Sequence, residues 1–87
     1  MNATITFILS PQPSQIKGGK EYLVIKTVTD DGQKYDIVPS SDCSTYNDWK
    51  EICSHYGIGA KLFDLKHLMV KNGRNFFNKK VLPSKII

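Results

Sequence analysis

Two short turn sequences most constrain what this chain can fold into. Asp31-Gly32 and Asn72-Gly73 each lie between two runs of strand-like residues. Such pairs tolerate the positive φ that a tight turn between antiparallel strands requires, so each predicts a β-hairpin. The strands predicted for these hairpins are Glu21–Thr29 with Gln33–Val38, and Lys61–Lys71 with Phe76–Leu82. The chain is therefore predicted to be mainly β.

One more strand precedes the first hairpin. Thr4–Leu9 is rich in β-branched and aromatic residues, and Ile5, Phe7 and Leu9 alternate along it, so we expect these three on one face. Pro11 ends the strand because proline cannot donate to a sheet ladder.

A helix is predicted over Thr45–Tyr56, between the two hairpins. Trp49, Ile52, Cys53 and Tyr56 recur at helical spacing and form one apolar stripe, with Trp49 as its core anchor. Two further sequence features mark its ends: a capping box at Thr45 and Asp48, and an expected left-handed C-terminal residue at Gly57.

The faces of the hairpin strands follow from the alternation of their residues. In the second strand Tyr22 and Lys26 lie on one face, and Leu23 and Ile25 on the other. In Lys61–Lys71 the period of two fails near Lys66-His67, where a β-bulge would return two apolar pairs to one face. Those pairs are Phe63 with Leu65 and Leu68 with Val70. Lys85-Ile86-Ile87 is predicted to be a short tail.

Five strands with a helix between the third and the fourth is the element order of the OB-fold, a small Greek-key barrel. The sequence therefore predicts a mainly β, five-stranded OB-fold-like barrel as a single domain over residues 1–87. The alternative is an α+β sandwich with the helix on one face of an open sheet. A chain of 87 residues buries only a little over ~60% of its unfolded surface, so oligomerisation, for example as a homodimer, would add stability.

Cysteine usage and hydropathy bear on the compartment. Cys43 and Cys53 form no metal-binding spacing, and two reduced thiols are favoured over one disulfide. The N-terminal residues lack the features of a signal peptide, and no apolar run approaches the ~20 residues of a membrane span. We expect a cytoplasmic protein that does not enter a membrane, in a bacterial cell or a phage-infected host.

Charge is unevenly distributed along the chain. The net charge is +4. Residues 1–29 hold three lysines and one acid, residues 30–56 hold six acids and two lysines, and residues 57–87 hold seven cations and one acid. This polarity suggests one face that binds a polyanion and another that avoids it.

Two stretches carry a family resemblance. The opening Met1-Asn2 and Ile5-Thr6-Phe7, followed by Lys17-Gly18 and Tyr22, resemble the small single-stranded-DNA-binding proteins of filamentous phages. The later block, which runs from Leu62-Phe63-Asp64-Leu65-Lys66 through Asn72-Gly73 to Phe77 and Pro83, is similar to the closing strands of OB-fold single-stranded-DNA-binding modules. The helix departs from the all-β phage proteins and is closer to the wider OB-fold group.

The expected function is the binding of single-stranded nucleic acid, DNA in the first instance with RNA as the alternative, without strong sequence preference, in replication or recombination. OB-folds bind single strands across strands two and three and the flanking loops, by aromatic stacking and by lysines near the phosphates. The candidate residues are Lys17, Lys20, Tyr22, Lys26, Tyr35, Lys66, Lys71, Arg74, Phe77, Lys79 and Lys80. Phe76 is the alternative to Phe77, since adjacent strand residues point to opposite faces.

Other functions have weaker support. The chain has no phosphate-cradling glycine motif, and His55 and His67 are better explained as structural residues, so we expect no enzyme, no metal and no cofactor. The alternative function is a protein-interaction module that docks on a replication enzyme through its acidic helix region. An OB domain that binds structured RNA in translation is a third option.

Overall fold

Seven strands and one helix make up the described part of the chain, residues 1–10 and 20–87 of a computed structural model. The elements are β1 (Ala3–Leu9), β2 (Val24–Thr29), β3 (Lys34–Ile37), α1 (Tyr46–His55), β4 (Lys61–Phe63), β5 (His67–Lys71), β6 (Arg74–Phe77) and β7 (Lys85–Ile86). The prediction of a mainly β chain with one helix is confirmed. The predicted strand 61–71 is divided into β4 and β5, and the expected tail instead pairs with β4 as β7.

All seven strands belong to one mixed sheet, in the order β5-β6-β3-β2-β1-β4-β7. β1 pairs antiparallel with both β2 and β4, while β3 and β6 run parallel. The remaining pairs are antiparallel. The fold therefore combines two local hairpins with long-range pairings of β1 and of β3.

Both predicted turns form. Gly32 has φ 85°, and Asn72 and Gly73 have φ 53° and 74°. These are the left-handed values that the two-residue turn between Lys71 and Arg74 requires, and those two residues lie opposite each other. Asp31 accepts a hydrogen bond from the Thr29 hydroxyl, which adds a side-chain contact to the first turn.

A β-bulge in β1 changes the side chains that this strand presents. Ile5 lies opposite Thr27, but Phe7 lies opposite Lys26, so Thr6 is an extra residue. The extra residue reverses the alternation after it. Ile5 is buried, whereas the Phe7 side chain is 48% exposed. The expectation that Ile5 and Phe7 share a face is wrong.

The core lies between α1 and the inner face of the sheet. Trp49 is completely buried, as predicted, and Ile52 and Cys53 pack partly against the core. Gly57 has φ 75°, the left-handed conformation expected where the helix ends. Among residues 1–10 and 20–87, no helix is both long and apolar enough to cross a membrane.

The predicted capping box is wrong. Thr45 makes no side-chain capping bond. Its hydroxyl instead donates to the backbone carbonyl of Lys79, at 2.6 Å. A contact with a segment distant in sequence therefore replaces the local one.

β5 is exposed along its whole length. A bulge does lie between His67 and Met69, close to its predicted place. It does not return Leu68 and Val70 to the core, because they are 47% and 61% exposed. Within the described residues β5 pairs only with β6 and stands at an edge of the sheet. The expectation that the bulge returns both apolar pairs to one face is therefore wrong.

Candidate nucleic-acid interface

A row of five side chains crosses the outer face of the sheet, away from the core. Phe7, Lys26, Asp36, Phe76 and Met69 lie directly opposite one another on β1, β2, β3, β6 and β5. Residues that are opposite in a sheet project from the same face. Phe7 and Met69 are 48% and 43% exposed, and Phe76 is half-buried. We call these five residues the outer row.

The centre of the outer row holds one acid between two cations. Arg74 Nε lies 2.8 Å from one carboxylate oxygen of Asp36, and Lys26 Nζ lies 3.7 Å from the other. The Asp36 side chain is only 10% exposed, whereas those of Arg74 and Lys26 are 53% and 38% exposed. The carboxylate therefore fixes both cations at the surface, and the three groups together keep one positive charge.

A groove of about 370 Å³ lies beyond one end of β2 and β6. Four of the predicted binding residues line it, namely Lys20, Tyr22, Lys79 and Lys80. The remaining lining residues are Ser40, Asp42 and Cys43. We call this the basic groove. It brings together residues from the segment before β2, the segment before α1 and the segment after β6.

Two hydrogen bonds from the helix region position the lysines of the basic groove. The Lys79 carbonyl accepts from the indole N–H of Trp49 at 2.7 Å, as well as from the Thr45 hydroxyl. The Asn78 side chain also accepts from the backbone N–H of Lys80, at 3.0 Å. Because Trp49 is completely buried, the backbone that carries the two lysines is attached directly to the core.

An ion pair marks the wall of the basic groove. Lys20 Nζ lies 2.8 Å from a carboxylate oxygen of Asp42. Its hydrogen bond, together with one from the Ser40 hydroxyl, lowers the pKa of Asp42 from 3.8 to about 2. The same bond and the charge of Asp42 raise the pKa of Lys20. Both groups are therefore charged at neutral pH.

The two cysteines differ in environment. Burial opposes ionisation of Cys43, but its hydrogen bond with Thr45 and the charges of Lys79 and Lys80 outweigh it, and the pKa of this thiol is lowered. Burial alone raises the pKa of Cys53 to about 11. Both thiols are free, and only Cys43 lines the basic groove.

More positive charge lies at the opposite end of the outer face. Lys34 and Arg74 line a groove of about 260 Å³ with Asp36 and Gly73, and Lys71 lies opposite Arg74. β3 and β6 run parallel, so their first residues share one end of the sheet. The basic groove lies at the other end, where β6 finishes. Cations thus flank the outer row at both ends of the strands.

Two predicted base-stacking residues lie in the core instead. Tyr35 and Phe77 are 7% and 2% exposed, and their rings stack on each other with centroids 4.2 Å apart. Tyr35 lies opposite the buried Thr27, on the inner face of the first hairpin. Burial leaves neither ring free to stack on a base, so the structure corrects both assignments.

Sequence reasoning missed Phe7 and Met69 and chose the wrong member of the phenylalanine pair. The Phe76-Phe77 adjacency showed only that one ring faces outward, and it is Phe76. Phe7 faces outward because of the bulge, which has no local sequence signal. Lys66 is exposed, but it lines neither the basic groove nor the groove at Arg74. Lys17 lies outside the described residues.

Comparison of the chain with protein-family models, with curated proteins and with solved structures finds no match. A functional assignment therefore depends on the geometry of the outer face.

Proposed function

We propose that this protein is an OB-fold-like barrel that binds single-stranded nucleic acid, DNA in the first instance, along the outer face of its sheet. The observation that carries the proposal is the outer row. It places the rings of Phe7 and Phe76 at the surface with Lys26 between them, and cations lie at both ends of the same face.

The strand pairings support the barrel. Only Asp64–Lys66 separate β4 from β5, yet β4 pairs with β1 and β5 pairs with β6. If β4 and β5 act as one bent strand, the sheet closes through β1, β2, β3 and β6. The barrel then has five strands, α1 lies between the third and the fourth, and the two-residue β7 pairs with β4.

The chemistry of the outer face favours a single strand over a duplex. Aromatic side chains stack on bases whose faces are free, and this is worth ~1–3 kcal/mol per base without reading sequence. Neighbouring strands lie about 4.8 Å apart, so Phe7 on β1 and Phe76 on β6 are about 14 Å apart along the sheet. Two platforms at this spacing would hold two bases that are not adjacent.

Lysines around these platforms supply the electrostatic attraction to the phosphates of the nucleic acid. Lys20, Lys79 and Lys80 lie at one end, and Lys34 and Lys71 lie at the other. Each phosphate that they neutralise releases a counterion, so affinity falls as salt rises. Lys20 pairs with Asp42 when no ligand is bound, so a phosphate must compete with that carboxylate.

Fluorescence anisotropy with a labelled oligo-dT tests the proposal. We expect oligo-dT to bind more tightly than a duplex of the same length, with a log–log salt slope near −0.7 for each phosphate neutralised. Oligo-U in a parallel titration decides between DNA and RNA. Absent binding, or equal affinity for single strand and duplex, would refute the proposal.

A further inference from the structure

A third groove, which the proposed nucleic-acid interface does not use, lies between α1 and the C-terminal segment. Its volume is about 410 Å³, and apolar side chains from both sides line it, among them Ile52, Tyr56, Leu82 and Ile86. Asp48 and Glu51 also line it, and His55 packs edge-on against Tyr56. We call it the α1 groove.

These two acids differ from the other six acids of the chain. Each of those six has a polar partner in the structure: Glu21 with Tyr46, Asp30 with Lys61, Asp31 with Thr29, Asp36 with Arg74, Asp42 with Lys20, and Asp64 with Ser84. Across residues 1–10 and 20–87, Asp48 and Glu51 have no such partner. Two unneutralised carboxylates beside apolar side chains suit an occupant that is both apolar and basic.

The same chain displays such a surface at β5. Leu68 and Val70 are 47% and 61% exposed, and Lys66 and Lys71 flank them without an ion pair in the described part of the chain. Val70 lies opposite Asn75, on the other face of the hairpin from the outer row. An exposed apolar edge strand is a site for pairing with another chain unless something covers it.

We propose that the α1 groove of one copy receives β5 of a second copy. Leu68 and Val70 enter the apolar part of the groove, and Lys66 and Lys71 approach Asp48 and Glu51. The two surfaces are different, so the contact is heterologous, and repeating it builds an open chain of molecules rather than a closed dimer. Met69 of the outer row and Lys71 also lie on β5, so this contact and the proposed nucleic-acid interface share that strand.

Substitutions at two exposed positions test the two halves of the contact independently. Glu51→Lys alters the α1 groove and leaves β5 intact, whereas Val70→Asp alters β5 and leaves the groove intact. Asn47→Lys is the matched control, because it also adds positive charge to an exposed position of α1 but does not line the groove. Circular dichroism of each variant checks that the fold is kept.

Sedimentation velocity of the full chain, without nucleic acid, then gives the answer. We expect the wild type and Asn47→Lys to form larger species as concentration rises, and each of the other variants to associate about tenfold more weakly or not at all. An equimolar mixture of Glu51→Lys and Val70→Asp should form dimers and nothing larger, since one intact groove and one intact β5 remain.

A wild type that stays monomeric at every concentration would overturn the proposal. So would a mixture that stays monomeric, or single variants that still associate like the wild type. Such results would leave the α1 groove to a different basic protein. The measurement contains no oligonucleotide, so its failure is distinct from a failure of nucleic-acid binding.

Discussion

Replacement of Phe7 by leucine is the most direct test of the outer row. The ring is 48% exposed and lies opposite Lys26, beside the surface that we propose for the bases. Leucine keeps an apolar side chain on β1 but has no aromatic face. The matched control is Phe7→Tyr, which keeps the ring.

The size of the effect follows from the exposed ring. Stacking on one base is worth ~1–3 kcal/mol, which is a loss of about 5- to 150-fold in affinity for oligo-dT. The free energy of unfolding should change by only about 0.5 kcal/mol, since surface substitutions away from special features have small effects. The salt slope should stay the same because no phosphate contact is removed.

Anisotropy titrations at several salt concentrations measure the affinity and its slope, and urea unfolding measures the stability. Phe7→Tyr should bind within about twofold of the wild type if the ring is what matters. Wild-type affinity for Phe7→Leu, with the fold intact, would refute Phe7 as a stacking platform. Loss of stability in place of affinity would show that Phe7 supports the sheet instead.

Three further predictions concern the core and the basic groove. Phe77→Ala should lower the free energy of unfolding by about 3–5 kcal/mol in urea, and a loss below about 1 kcal/mol would contradict its core position. The depressed pKa of Asp42 means that its pairing is complete above about pH 4 and is lost as pH falls through about 2. An NMR titration should show this midpoint, Lys20→Met should raise it toward 3.8, and a wild-type midpoint near 3.8 would exclude the pair. Iodoacetamide should alkylate Cys43 faster than Cys53, and oligo-dT should slow only Cys43; equal rates by mass spectrometry would contradict the difference in environment.

The features that the sequence predicted well are local ones. Asp31-Gly32 and Asn72-Gly73 specify their turns through the conformations that these residues accept. The apolar stripe around Trp49 likewise specifies α1 and its buried side through Trp49, Ile52 and Cys53, because helical spacing puts those residues together. Tyr56, the fourth residue of the predicted stripe, is instead 47% exposed. The basic groove was predictable in part, since Lys20 lies next to one predicted strand and Lys79 and Lys80 lie within another.

The missed features depend on contacts between distant segments. The Thr6 bulge belongs to a strand that pairs with both β2 and β4, and no neighbouring residue in the sequence predicts it. Thr45 donates to Lys79 rather than to its own helix, which a capping pattern cannot reveal. Tyr35 and Phe77 are adjacent only because β3 and β6, which are distant in sequence, pair in parallel.

The hydrogen bond from Trp49 to the Lys79 carbonyl gives this protein a built-in optical signal. Trp49 is the single tryptophan of the chain, and its indole N–H is bonded to the backbone that carries the basic groove. The emission of an indole depends on its hydrogen bond and on the polarity around it. A ligand that binds Lys79 or Lys80 and shifts their backbone should therefore change the tryptophan fluorescence of the unlabelled protein, although the buried ring itself does not contact the ligand.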